Sequence, residues 1–138
     1  MKRKILIIED NEQNLYLLTF ILEKHGYDVE AAQDGRAGID KAIRVVPDLI
    51  LLDVQLPVMD GYAVARHLRS NPELAETPIV AVTSYAMLGD REKALASGCT
   101  GYIEKPINPD TFMAQVEEYL LTSVRKEANA DAASADNG

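Results

Sequence analysis

Five side chains in this 138-residue chain point to one chemistry. Glu9 and Asp10 are adjacent carboxylates, Asp53 is a third acid closing an apolar run, Thr83 is an alcohol, and Lys105 is an amine that precedes a proline. Brought together, the three carboxylates would repel one another and raise each other's pKa unless a cation sits among them. A hard divalent ion with oxygen ligands, Mg²⁺ above all, answers that need and keeps waters and an open position. Lysine and hydroxyl then offer what a phosphoryl group requires, a point charge and a hydrogen-bond donor. A carboxylate held there is a competent nucleophile towards phosphorus. The reaction this set favours is formation and hydrolysis of an aspartyl phosphate. Taken singly, each residue has a plainer role. Glu9 and Asp10 could cap a helix, Asp53 could open a turn, Thr83 could end a strand, and Lys105 could be a surface charge.

Only a particular scaffold gathers them. Leu49-Ile50-Leu51-Leu52 is apolar without alternation, as in a strand buried on both faces of a parallel sheet. Lys4–Ile8, Asp28–Ala32, Pro78–Val82 and Gly101–Ile103 read as four further strands, the second near an edge because its polarity is mixed. Between them run helical patterns. Leu15, Leu18, Ile21 and Leu22 mark the first, which Gly26 stops. Ile39, Ile43 and Val46 share a face of the second, which ends at Pro47. Ala65 and Leu68 face inward on the third, with Asp60 as its cap and Asn71-Pro72 as its break. The fourth, about Ala86–Ser97, is weakly apolar, offers Met87, Ala94 and Leu95, contains Gly89 and stops at Gly98. Asn108 caps the fifth, whose buried stripe is Phe112, Val116, Tyr119 and Leu120. Strands alternating with helices imply an α/β fold, a doubly wound, flavodoxin-like five-stranded parallel sheet in the order 2-1-3-4-5 with five helices. Active groups collect beyond the carboxyl ends of such strands, where Glu9, Asp10, Asp53, Thr83 and Lys105 all fall.

The bulk composition narrows the partners. Fourteen basic against 22 acidic residues leave a net charge of −8, unsuited to nucleic acid or an anionic membrane. No apolar run approaches a bilayer span of roughly 20 residues. The start Met1–Ile8 superficially resembles a signal peptide, but its apolar run breaks at once on Glu9-Asp10. A single cysteine, Cys99, excludes an internal disulfide and fits a reducing cytoplasm.

Ile7-Ile8-Glu9-Asp10-Asn11, Leu51 to Gly61 (LLDVQLPVMDG), Val82-Thr83-Ser84 and Tyr102-Ile103-Glu104-Lys105-Pro106 together resemble the receiver domain of two-component response regulators, over about residues 4–121. The resemblance is to the single-domain kind, with a receiver domain over 1–122; residues 123–138, rich in Ala, Asp, Asn and Ser without apolar period, are expected to be a disordered polar tail. The resemblance implies that Asp53 is the phosphoacceptor and that Asp10, Asp53 and the backbone carbonyl of Gln55 ligate Mg²⁺, with Glu9 helping through water. It further implies that Thr83 bonds the phosphoryl oxygen and moves inward, that Tyr102 swings in with it, and that Lys105 pairs with Asp53 across a cis bond to Pro106. Gln55 and Tyr85 sit two residues beyond Asp53 and Thr83, where the family tunes water access to the acyl phosphate. The donor is then a sensor histidine kinase or histidine phosphotransfer protein, since His25 and His67 lie away from the strand ends. The output is a protein target that reads the face formed by helix four, strand five and helix five, with the regulator a monomer or weak dimer. No enzymatic activity is expected beyond its own phosphorylation and slow dephosphorylation. The readings left beside it are a non-phosphorylated adaptor, a receiver unit of a larger hybrid kinase, and an aspartyl phosphatase. The last usually needs a second acid where Gln55 stands.

Overall fold

The computed structural model describes residues 2–84 and 88–121. Tyr85, Met87, the start of the fourth helix and the polar tail lie outside the described residues. Strands β1 (Lys4–Ile8), β2 (Asp28–Ala32), β3 (Leu49–Asp53), β4 (Ile79–Thr83) and β5 (Gly101–Glu104) form one parallel sheet in the order β2-β1-β3-β4-β5. Helices α1 (Glu12–Lys24), α2 (Gly35–Val45), α3 (Gly61–Arg69) and α4 (Leu88–Ala96) alternate with them, and α5 covers 109–121. A short 3₁₀ turn at Pro72–Leu74 follows α3. This is the doubly wound flavodoxin-like fold that the strand pattern implies.

The three inner strands are buried on both faces, which is why they carry no alternation. Alternate positions along each strand feed two cores. Ile5, Ile7, Leu49, Leu51, Val80, Val82 and Ile103 meet α1 and α5 through Leu18, Leu22, Phe112 and Val116. Leu6, Ile8, Ile50, Leu52, Ile79 and Ala81 meet α2, α3 and α4 through Ala42, Val64, Leu68 and Ala94.

Local chemistry sets the helix ends. Asn11, Asp34 and Asp60 each accept a hydrogen bond from the backbone N–H three residues on, at 2.8–2.9 Å. Asn108 accepts from Asp110 N at 3.0 Å. Gly26, at φ 89°, ends α1 with Tyr27 N donating to Leu22 O.

Two apolar patterns do not mark the buried face. On α2, Ile43 and Val46 are 46% and 45% exposed, and the helix buries Gly35, Gly38 and Ala42 instead, with Ile39 at the margin. The reason is close approach: a Cβ on Gly38 would lie 2.5 Å from Ile8 Cδ1, and one on Gly35 2.6 Å from Val64 Cγ2. The helix docks by its smallest face, which a hydrophobic stripe does not mark. On α4, Leu95 is 49% exposed and Ala94 alone is buried among the described side chains.

Candidate functional site

Ends of parallel strands share one edge, so β1, β3, β4 and β5 deliver Glu9, Asp53, Thr83 and Lys105 to a common place. Carboxylate oxygens of Glu9, Asp10 and Asp53 lie within 4.8 Å of one another. Glu9 and Asp53 are buried, Asp10 is exposed, and Thr83 is buried at the end of β4. Lys105 Nζ reaches between two of the acids, 3.1 Å from Glu9 Oε1 and 3.4 Å from Asp53 Oδ1. Its backbone N–H donates to Thr83 O at 2.8 Å, joining the β4 and β5 ends. The bond from Lys105 to Pro106 is cis.

The loop after β3 is shaped around Asp53. Gln55 N donates to Asp53 Oδ1 at 3.0 Å, and Gln55 itself is exposed. Met59 N donates to Pro57 O at 2.7 Å, closing a three-residue turn around Val58, whose φ is 68° and whose side chain is fully exposed. A β-branched residue at positive φ is strained, and such strain gathers at functional sites. Nothing in the residue types announces it. Gly61 N then donates to Val54 O at 3.1 Å, folding the loop back as α3 begins.

The acids fit a hard divalent cation. Glu9 Oε1 is buried and accepts no well-formed hydrogen bond; Lys105 faces it as an ion pair rather than in line. Burial, then the neighbouring Asp53 carboxylate, push the Glu9 carboxyl from 4.5 up to about 7, against the pull of Lys105. A carboxyl raised in this way binds its proton more tightly folded than unfolded, so its contribution to stability is present below about pH 4.5 and lost as pH rises towards 7. Without metal, the urea-unfolding free energy should fall by about 2 kcal/mol between pH 5 and pH 7.5, and Glu9→Gln should flatten that slope. An equal slope in the variant would show that another group carries it.

The structure brings together Glu9, Asp10, Asp53, Thr83 and Lys105, places Gln55 at their rim, and sets Tyr102 farther back on β5. Tyr102 pairs in register with Ala81, and strand alternation puts its ring and the Thr83 side chain on the same sheet face. Tyr85 lies outside the described residues. At the opposite edge of the sheet, Arg69 carries no signal in the sequence either. Its guanidinium donates to the carbonyls of Gly98, Leu74, Ala75 and Thr77 at 2.7–3.0 Å, tying the end of α3 to the end of α4. A lone arginine ending a helix gives no hint of four backbone partners.

The family model described as the response regulator receiver domain matches residues 5–117. The polar-differentiation response regulator DivK of Brucella anthropi is 39% identical over 120 residues, 87% of this chain and 98% of that one. The chemotaxis protein CheY4 of Vibrio cholerae superposes with a TM-score of 0.83 at 30% identity, covering 86% of this chain and 99% of that one. The receiver domain of a sensor histidine kinase from Pseudomonas aeruginosa superposes with a TM-score of 0.81 at 33% identity, covering 87% and 98%, and in that structure a magnesium ion is coordinated in the active-site cleft. With its acids, alcohol and amine gathered at the carboxyl edge of a 2-1-3-4-5 sheet, the chain belongs to the response regulator receiver domain family of two-component signalling.

Proposed function

We propose that this chain is a cytoplasmic phosphorylation switch that accepts a phosphoryl group on Asp53 from a phosphohistidine of a sensor kinase or phosphotransfer protein. The observation that carries the reading is the position of Lys105 Nζ, 3.1 Å from Glu9 and 3.4 Å from Asp53, inside an acid cluster at the sheet's carboxyl edge. An Asp53 oxygen attacks phosphorus and the P–N bond to the donor imidazole breaks. Its electron pair returns to nitrogen, and an acyl phosphate is left on Asp53. Lys105 balances the charge gained on the phosphoryl oxygens, and the Thr83 hydroxyl donates to one of them. Asp10, Asp53 and the Gln55 carbonyl would hold Mg²⁺, with Glu9 acting through water; when bound, the ion neutralises carboxylate and phosphoryl oxygens together. Incubation with Mg²⁺ and acetyl phosphate tests the reading: one phosphoryl adduct by intact mass supports it, and an unmodified chain refutes it.

The added group carries roughly −1.5 to −2 charge and three acceptor oxygens. New bonds at Thr83 and Lys105 then bias a two-state element, for which α4 is suited because only Ala94 is buried among its described side chains. The face of α4, β5 and α5 carries the output to a protein target. Tyr85, bulky and two residues beyond Thr83, shields the acyl phosphate from water. Tyr85→Ala should shorten its lifetime several-fold, followed by mass after donor removal; an unchanged lifetime removes Tyr85 from the mechanism.

A further inference from the structure

We propose that Arg91 is the latch that holds the Tyr102 ring on the α4 flank and thereby sets how readily the switch is thrown, a proposal that rests on the phosphoacceptor reading above. The guanidinium carbon of Arg91 stands 4.7 Å from the centroid of the Tyr102 ring, and the same guanidinium donates to the Tyr102 hydroxyl. One guanidinium therefore sits at the hydroxyl end of one ring. Tyr102 is half-buried against the core shared with Ala81 and Ala94. It lies on the same sheet face as Thr83, so any inward movement of Thr83 vacates space towards which the ring can move.

The rest of α4 explains why this contact matters. Its far end is fixed by Arg69, which donates to Gly98 O at 2.7 and 3.0 Å, and by Cys99 N donating to Ala94 O at 3.0 Å. Lys93 Nζ sits 4.7 Å over the Tyr62 ring of α3 and holds the helix sideways. Towards the N-terminal half, among the described residues, Arg91 contacts β5 at Tyr102. A guanidinium at the rim of a half-buried ring is a weak bond, strong enough to bias a two-state ring by about threefold and weak enough to yield when a phosphoryl group forms. Arg91 acts through Tyr102 and is a positioning residue.

Beryllofluoride with Mg²⁺ serves as the phosphoryl probe, followed by NMR. Arg91→Met keeps the aliphatic stem and removes the charged fork, and it should bind the probe about threefold more tightly than the wild type. In the same variant without probe, the nuclear Overhauser contacts between the Tyr102 ring and the Thr83 methyl should strengthen. In a Tyr102→Ala background, Arg91→Met should change affinity no further. Unchanged contacts in Arg91→Met overturn the latch, as does an effect that survives without Tyr102. If the wild type itself fails to bind the probe, the phosphoacceptor reading falls, and the ring contacts alone still decide whether Arg91 positions Tyr102.

Discussion

Asp53→Asn should abolish the single phosphoryl adduct that Mg²⁺ and acetyl phosphate are expected to place on the wild-type chain. The amide has nearly the shape of the carboxylate, so the fold and the hydrogen bond from Gln55 N can persist. What is lost is the nucleophile: a neutral amide oxygen at this position cannot displace a leaving group from phosphorus at a useful rate, and the adduct should drop below detection. The same substitution removes a charge that helps hold the Glu9 carboxyl up, so Glu9 should titrate lower, readable by carboxyl NMR. The outcomes separate the competing readings. An adduct on wild type and none on Asp53→Asn fits the regulator. No adduct on either fits an adaptor in the same fold. Rapid multiple turnover of acetyl phosphate fits a phosphatase, although Gln55 stands where such enzymes usually need a second acid.

Gly61→Ala should produce the largest loss of stability from the smallest change. A Cβ there would lie 2.5 Å from Val54 Cα and 2.6 Å from the Asp53 carbonyl oxygen. Both are backbone atoms of the segment that carries the acceptor, so no side chain can rotate away to make room. Overpacking of this kind costs about 3 kcal/mol, which for a domain of this size lowers Tm by about 10 °C. The displaced Asp53 backbone should also weaken beryllofluoride binding. Gly89→Ala provides the control, because a Cβ at Gly89 meets nothing within 4 Å. Inside a helix that exchange should raise stability by up to about 1 kcal/mol. Equal melting of Gly61→Ala and wild type would show that the loop after β3 can shift freely.

Much of this architecture is legible from residues alone, for identifiable reasons. Short unbroken apolar runs bounded by turn residues, such as Leu49–Leu52, suit strands covered on both sides, and covered parallel strands need crossover helices. The helix caps at Asn11, Asp34, Asp60 and Asn108 depend on bonds two or three residues long, so the chain carries them locally. Strand-end placement of Glu9, Asp53, Thr83 and Lys105 follows once the sheet is parallel.

Other features depend on distances between elements, which no periodicity encodes. Hydrophobic patterning put Ile39, Ile43 and Val46 on one face of α2, but glycines at 35 and 38 let the backbone itself approach Ile8 and Val64, and Ile43 and Val46 stay exposed. The strained turn at Val58 is held by its neighbours against the preference of a β-branched residue. Arg69 and Arg91 look like ordinary surface cations until the carbonyls and the ring they reach are folded beside them. Composition and order determined the sheet, its helices and the set of reactive groups, because those follow from local burial and capping. Which acid shares Lys105, which face α2 buries and which ring Arg91 holds were decided by tertiary packing, since each is set by a separation of a few ångströms between segments far apart in the chain.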